Sequence, residues 1–284
     1  MFSRHWFSTK LAKWLEPIAV KKSVLITGVA EGYYAAVMDR NPHLKKTAVS
    51  GAMPYGGEAL DHAILPTLNL KPYLFEKIKK LQIVYAGAML PKAYKPLQSI
   101  FSSIAAARPT FENIEFHFIG TGNKADDAGG YNIKPLAEQY GLWHSVVFEY
   151  PKRIPYLDVL VHLKFADGIF ILGSTEPHYT PSKTYQGVLS AKPLLAILHK
   201  DSSAVAVIQQ SKAGLVLEFN GEEGLKHLEQ NFASFFLQYK ELLKTFDPAE
   251  VDGNIFEQYS AKNVTSQLAV LLDKAVELNC INKQ

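Results

Sequence analysis

The stretch GSTEPHYTPSKTYQGVLSAKP, from Gly173 to Pro193, carries the densest chemistry in the chain. A strand ends at Gly173, polar residues follow, and Thr180 then Pro181 have the types expected of an N-cap and a first-turn proline. The amides of Ser182 and Lys183 would be unpaired at a positive helix end, and Lys183 adds a full charge, which together make an anion site. Glu176, His178 and Gln186 flank that site with groups that bind hydroxyls. A sugar joined to a phosphate would satisfy all of them. For His178, an exposed loop histidine is an equal alternative.

Three other loops offer less. In AGAMLPKAYKP, Gly87 lets the chain approach a ligand closely, and Lys92 and Lys95 supply positive charge, although two surface lysines are more often merely solvated. GTGNKADDAGG opens like a dinucleotide fingerprint with Gly120 and Gly122, but the third glycine of G-x-G-x-x-G is missing, which argues against NAD. Asp126 and Asp127 in that loop read as a solvated turn before a metal site. EYPKRIPYLDVL places Pro151, Lys152, Arg153 and Pro155 ahead of a helix; its first reading is a structural turn, with Arg153 a candidate for a phosphate or a base edge. The nine histidines show no zinc spacing, and neither a G-x-S-x-G elbow nor a Walker loop is present.

These loops need a sheet to position them. Six short apolar or β-branched runs alternate with helical patterns: Leu81 to Gly87, Ile114 to Gly120, Ser145 to Phe148, Gly168 to Gly173, Pro193 to His199 and Gly214 to Phe219. Alternation of this kind predicts an α/β fold, a Rossmann-like parallel sheet of about six strands flanked by helices. Ligands of such sheets bind beyond the carboxyl ends of the strands, where all four loops would lie. Phe232, Phe235, Phe236, Tyr239, Leu242, Leu243 and Phe246 form one helical stripe, and Val264, Leu268, Leu271 and Leu272 another; both read as packing.

Residues 1–80 differ. An amphipathic helix, a run at Val24 to Gly28, a helix from about Val29 to Arg40 and a run near Thr47 to Ser50 suggest a partial second α/β segment, because so few strands do not make a stable sheet alone. The expected organisation is a remnant over 1–57, a linker over 58–80, the main domain over 81–258 and a C-terminal helix over 259–284.

Composition narrows the function. Thirty Lys and Arg against 27 Asp and Glu leave a formal charge of +3 over 284 residues, so nucleic acid is not implied. Residues 1–50 hold eight Lys or Arg against three Asp or Glu. One cysteine, Cys280, precludes an internal disulfide and suits a reducing compartment, so a cytoplasmic location is expected. No apolar run approaches the ~18 residues of a membrane span.

From Leu81 to about Leu272 the sequence resembles the donor-binding C-terminal half of GT-B glycosyltransferases, particularly the family 4 retaining enzymes. IVYAG is similar to their "vGrl" motif, FHFIGTG to "l.ivG.G", IPYLDVLVHLKFADGIFIL to "y..aDv.v.pS", and TPSKTYQGVLSAKPLLA to "psKlyEyla.GkPvla". The resemblance implies that Gly87, Ala88, Lys92, Ser182 and Lys183 face the diphosphate of a nucleotide sugar. Glu176 and His178 would face the sugar, Gln186 the ribose, and Tyr150, Lys152, Arg153 and Ile154 the base. It implies no metal and no other cofactor, the nucleotide diphosphate sugar being a substrate. Three positions depart from the pattern: Ala88 stands where an arginine is usual, Gln186 replaces a glutamate, and His178 occupies the first carboxylate place of the E-x7-E pair.

The expected activity is sugar transfer to an unknown acceptor, saccharide or lipid-linked, by positioning and diphosphate stabilisation. Only about 80 residues precede the donor half, so a truncated or split enzyme is expected, and no catalytic residue is assigned. A noncatalytic nucleotide-sugar-binding module acting with a partner chain is the alternative; a GT-B-type epimerase would need an acid and a base that the cleft residues do not offer. In the first helix, Phe2, Trp6, Leu11, Trp14, Leu15 and Ile18 lie broadly on one side and Arg4, Lys10 and Lys13 on another. Packing is the first reading of that face. Peripheral contact of residues 2–18 with the inner membrane face, or self-association, is the second.

Overall fold

A computed structural model describes residues 4–281; Phe2 of the apolar face lies outside them. Along the chain run α1 (Arg4–Val20), β1 (Leu25–Gly28), α2 (Glu31–Arg40), α3 (Leu44–Thr47), β2 (Val49–Ala52) and α4 (Ala59–Ala63). There follow β3 (Leu81–Ala86), α5 (Tyr94–Ala106), β4 (Ile114–Ile119), α6 (Lys134–Gln139), β5 (Val147–Tyr150), α7 (Tyr156–Phe165) and β6 (Gly168–Leu172). The rest comprises α8 (Lys183–Leu189), β7 (Leu194–His199), α9 (Ser203–Gln210), β8 (Gly214–Phe219), α10 (Leu225–Thr245), α11 (Gly253–Glu257) and α12 (Ala261–Ile281). The chain divides into two compact units, Gly56–Ser260 and the combination of Met1–Tyr55 with Ala261–Gln284. Residues 56–80 thus belong to the larger unit, and the C-terminal helix to the smaller.

In the larger unit six strands pair in the order β5-β4-β3-β6-β7-β8, all parallel. Renumbered within the unit this is 3-2-1-4-5-6, the Rossmann order. Both faces are covered, which is why the strands read as nearly continuous apolar runs. Side chains alternate with period two: Ile83 and Tyr85, Phe170 and Leu172, Leu195 and Ile197 enter one core, with Leu97, Ile100 and Phe101 of α5 and Phe232, Phe236 and Tyr239 of α10. Val84, Ile169, Ile171, Ala196 and Leu198 enter the other, against Leu160 of α7, Tyr185 of α8 and Ile208 of α9. Each fully buried apolar side chain of this kind stabilises the fold by about 1.5–3 kcal/mol.

Two boundaries differ from those read in the sequence. The third strand of the sheet is Val147–Tyr150, not Ser145–Phe148, because Val146 and Val147 donate to the Leu142 carbonyl and close a turn in which His144 adopts φ 57°. Thr180 does not cap the helix of the richest loop; its hydroxyl pairs with Ser203 Oγ at 2.7 Å, and α8 begins at Lys183 with Ser182 at the N-cap position and no side-chain cap.

The smaller unit holds two parallel strands, β1 and β2, in register from Leu25↔Val49 to Gly28↔Ala52. Met38, Leu44 and Ala48 are its buried core, with Val20, Ile26, Tyr34 and Val37 packed around them. Gly51 leaves the space that Leu271 of α12 fills.

Candidate functional site

The β3–β6 ladder pairs Ile83 with Gly168 and Val84 with Ile169 and ends there, although β3 continues to Ala86 and β6 to Leu172. This is the point where strand order reverses, so the connections leave to opposite sides and open a crevice at the carboxyl edge. A cavity of about 80 Å³ lies in it, lined by Ala86, Phe170 and Ile171 of the parting strands, by Val159 and Leu160 of α7 and by Lys183 and Gln186 of α8. A pocket of about 320 Å³, lined by Gly87, Ala88, Gly120, Arg153, Ile154 and Val159, shares Val159 with it. A third, of about 410 Å³, includes Tyr73, Tyr131, Tyr150, Lys152, Arg153 and Ile154.

Gly87 has φ 135°, a conformation that L side chains rarely adopt. A Cβ built there would lie 3.0 Å from Lys183 Nζ, so the first loop and α8 meet at this glycine. The Lys183 ammonium sits 3.8 Å from the centre of the Tyr85 ring. Among the described residues no carboxylate forms a salt bridge with it. Desolvation brings its pKa down to about 7, so the amine is only partly charged near neutral pH and an incoming anion would restore the full charge. Tyr85, buried, donates its hydroxyl to the Ala88 carbonyl at 3.1 Å and pins the loop carrying Gly87.

Arg153 is exposed, without an ion pair among the described residues, and opens onto both larger pockets. Gly120, at φ 70°, takes a hydrogen bond path beneath it: its N–H donates to the Tyr150 carbonyl, and the Arg153 N–H donates to the Ala125 carbonyl. The base-side residues Tyr150, Lys152, Arg153 and Ile154 therefore share a pocket wall, but the Tyr150 hydroxyl is committed inward, 3.2 Å from His117 Nδ1, and burial pushes its pKa up to about 12.

Of the remaining candidates, Lys92, Glu176 and Gln186 are engaged with protein groups and His178 is not. Lys92 Nζ and Glu176 form an exposed ion pair at 2.8 Å, and the Thr175 N–H donates to the Lys92 carbonyl, so the first and fourth loops are tied together by the residues assigned to diphosphate and sugar. An exposed pair of this kind is worth at most about 1 kcal/mol and opens readily to a ligand. His178 is exposed and makes no hydrogen bond or ion pair among the described residues. Gln186 Oε1 lies 2.8 Å from Nε2 of His62, a buried histidine of α4 that the sequence reading placed in a linker. Burial holds that imidazole below its ordinary range, and the Gln186 contact raises it in part. Lys164 Nζ donates to the His62 carbonyl, and the Tyr156 hydroxyl to Asp61, fixing α4 against α7.

One residue escaped the sequence reading. Glu149, buried in β5, accepts the N–H groups of Asn132 at 2.8 Å, Ile133 at 2.9 Å and Lys134 at 2.8 Å, together with the Thr121 hydroxyl. It folds the GTGNKADDAGG loop and holds the start of α6. The visible signal was a lone acid inside the apolar run VVFEY. Glu149→Gln turns an amide NH2 toward backbone donors, and a loss of about 2 kcal/mol in urea unfolding is expected, with increased amide exchange over residues 121–134. Asp127 closes a turn by accepting the Gly129 N–H. Among the described residues no three His, Cys, Asp or Glu side chains group as metal ligands.

No protein-family model matches the chain, and no curated protein does. Solved structures do. The UDP-forming α,α-trehalose-phosphate synthase of Burkholderia xenovorans aligns over 97% of this chain and 67% of its own at a TM-score of 0.65 and 10% identity. The trehalose 6-phosphate synthase of Burkholderia multivorans aligns over 89% and 60%, at 0.61 and 10%. TarM of S. aureus, in a complex with fondaparinux, α-GlcNAc-glycerol and UDP, aligns over 92% and 46%, at 0.59 and 16%. The chain thus has the GT-B glycosyltransferase fold, and it spans about half to two thirds of the length of those structures.

Proposed function

We propose that the larger unit binds a nucleoside diphosphate sugar across the crevice between β3 and β6, and that the chain provides the donor side of a glycosyl transfer. The observation that carries this is the meeting of Gly87, without a side chain and at φ 135°, with a Lys183 ammonium that no carboxylate neutralises. The diphosphate lies over the Gly87–Ala88 backbone beside Lys183, with Arg153 at its outer edge. The base enters the pocket walled by Tyr150, Lys152, Arg153 and Ile154. The sugar lies toward Glu176 and His178 after Lys92 exchanges its carboxylate partner for phosphate oxygen.

Transfer breaks the bond between the anomeric carbon and the diphosphate oxygen. An acceptor hydroxyl oxygen bonds to that carbon and gives its proton to the departing diphosphate oxygen or to water, and the electron pair of the broken bond leaves on the nucleoside diphosphate. Lys183 and the loop amides stabilise that leaving charge. Turnover of a radiolabelled nucleotide-sugar panel against saccharide and lipid-linked acceptors tests the reading; binding without turnover by the chain, alone or with added partner proteins, would sink the transferase. The second reading, a noncatalytic nucleotide-sugar-binding module, is favoured at two positions: His178 supplies no anion, and the Gln186 oxygen is already used by His62.

Gln186 faces the ribose in this arrangement. Gln186→Glu is expected to preserve or tighten nucleoside-diphosphate binding, since a carboxylate accepts from a ribose diol and from His62 alike. The same change would raise the depressed His62 pKa, which proton NMR of the imidazole reads. Lost binding in a folded variant would show that the ribose lies elsewhere.

A further inference from the structure

Helix α1 is anchored by one edge. Arg40 grips Glu16 through Nε at 2.8 Å and Nη2 at 2.6 Å, Asn41 Nδ2 donates to the same carboxylate at 2.9 Å, and Val20 packs on the Met38–Leu44–Ala48 core. At 100° per residue Glu16 and Val20 fall within about 40° of each other. On the far side Phe7, Leu11, Trp14, Leu15 and Ile18 occupy an arc of about 100°. Their exposures run from 41% for Leu11 to 66% for Trp14, so the face that looks like core in the sequence is turned away from the unit that holds the helix.

The charges around this arc have one sign. Lys10 stands at its edge, Lys21 and Lys22 follow the helix directly, all three are exposed, and none forms an ion pair among the described residues. The nearest helix acid, Glu16, is neutralised by Arg40 at the anchored edge.

We propose that this face docks on a bilayer carrying anionic headgroups, with α1 lying in the plane of the interface. Phe7, Trp14 and Ile18 enter the boundary between headgroups and acyl chains, where aromatic rings are favoured, and Lys10, Lys21 and Lys22 meet lipid phosphates. Charge decides for this occupant over a second copy of the chain, whose α1 would bring three lysines of the same sign to the contact. No helix among the described residues is long and apolar enough to cross a membrane. It does not depend on the donor site.

The test is co-sedimentation of the full chain with phosphatidylcholine vesicles, with and without phosphatidylglycerol, beside sedimentation velocity of the protein alone. Binding that requires phosphatidylglycerol and weakens with added salt is expected, from a chain that is monomeric without vesicles. Neutralising the cations in K10Q/K21Q/K22Q should lower the partition coefficient on the order of a hundredfold at low salt. F7S/W14S should abolish binding with an unchanged melting temperature, since both residues are already exposed. Equal binding by these variants, binding indifferent to phosphatidylglycerol, no vesicle binding, or a dimer that F7S/W14S dissociates would each overturn the proposal, the last by showing that a second copy covers the face.

Discussion

Lys183→Met is expected to weaken nucleoside-diphosphate binding about a hundredfold at pH 6.5 while raising the melting temperature. Both effects come from one fact: a desolvated ammonium with no carboxylate partner is a burden to the fold and an asset to an anionic ligand. With its folded-state pKa near 7 and its unfolded value near 10.4, Lys183 binds fewer protons in the folded chain between those values. Stability contributed at this site therefore rises as pH rises from about 7 toward 10, and the methionine variant loses that slope. Ligand binding runs the other way. A diphosphate favours the ammonium, so wild-type affinity should fall by up to about tenfold per pH unit above 7 until the bound-state pKa is passed. Calorimetry in buffers of different ionisation enthalpy should show proton uptake on binding near pH 7.5 in wild type and none in the variant. Equal affinity in both proteins would remove Lys183 from the site.

The second large effect is on stability in acid. His117 is buried on β4, stacked on Phe75 at 4.1 Å between centroids and on Phe148 at 5.2 Å. Desolvation, with a smaller contribution from His162, lowers its pKa to about 4. The unfolded chain binds this proton near pH 6.5 and the folded chain only near 4, so stability is fully present above 6.5 and is lost as pH falls toward 4. The drop for this group is at most about 3 kcal/mol, because Glu115 Oε2, 3.3 Å from Nε2, favours the charged ring and opposes the desolvation. Urea unfolding of wild type between pH 7 and 4 should show it. In His117→Phe, which keeps an aromatic ring between Phe75 and Phe148, the slope should shrink by that amount; an unchanged slope would place the acid sensitivity elsewhere, His162 being the next buried imidazole.

The sheet was legible in the sequence because its strands begin or end at glycine or proline and the inner ones are buried on both faces, so runs such as GIFILG and PLLAILH stand apart from their helices. What was not legible depends on partners distant along the chain. Phe75 and His62 sit in a stretch without periodicity, and their roles arise only when His117 and Gln186 fold against them. Thr180 and Pro181 have the types of a helix start, yet a serine 23 residues away takes the threonine hydroxyl. In the site, the glycine of the first strand and Lys183 were both named from sequence, and the structure brings them together. Their electrostatic condition was not visible there, since an unneutralised, desolvated ammonium depends on which carboxylates fail to reach it. Glu176 and Glu149, acids of the loops and strand at the same sheet edge, are occupied by Lys92 and by backbone amides. Likewise the Tyr150 ring belongs to the pocket assigned to the base, but its hydroxyl is spent on His117.

The most direct test of the donor site is a crystal structure of the chain grown with a nucleoside diphosphate, uridine, guanosine and adenosine forms being tried in turn. Diphosphate density is expected at the crevice between β3 and β6, within hydrogen-bond reach of Lys183 Nζ and of the loop amides following Ala86, with the base in the pocket beside Arg153 and Ile154. Density elsewhere, or no binding by any of the three at saturating concentration, would contradict that placement.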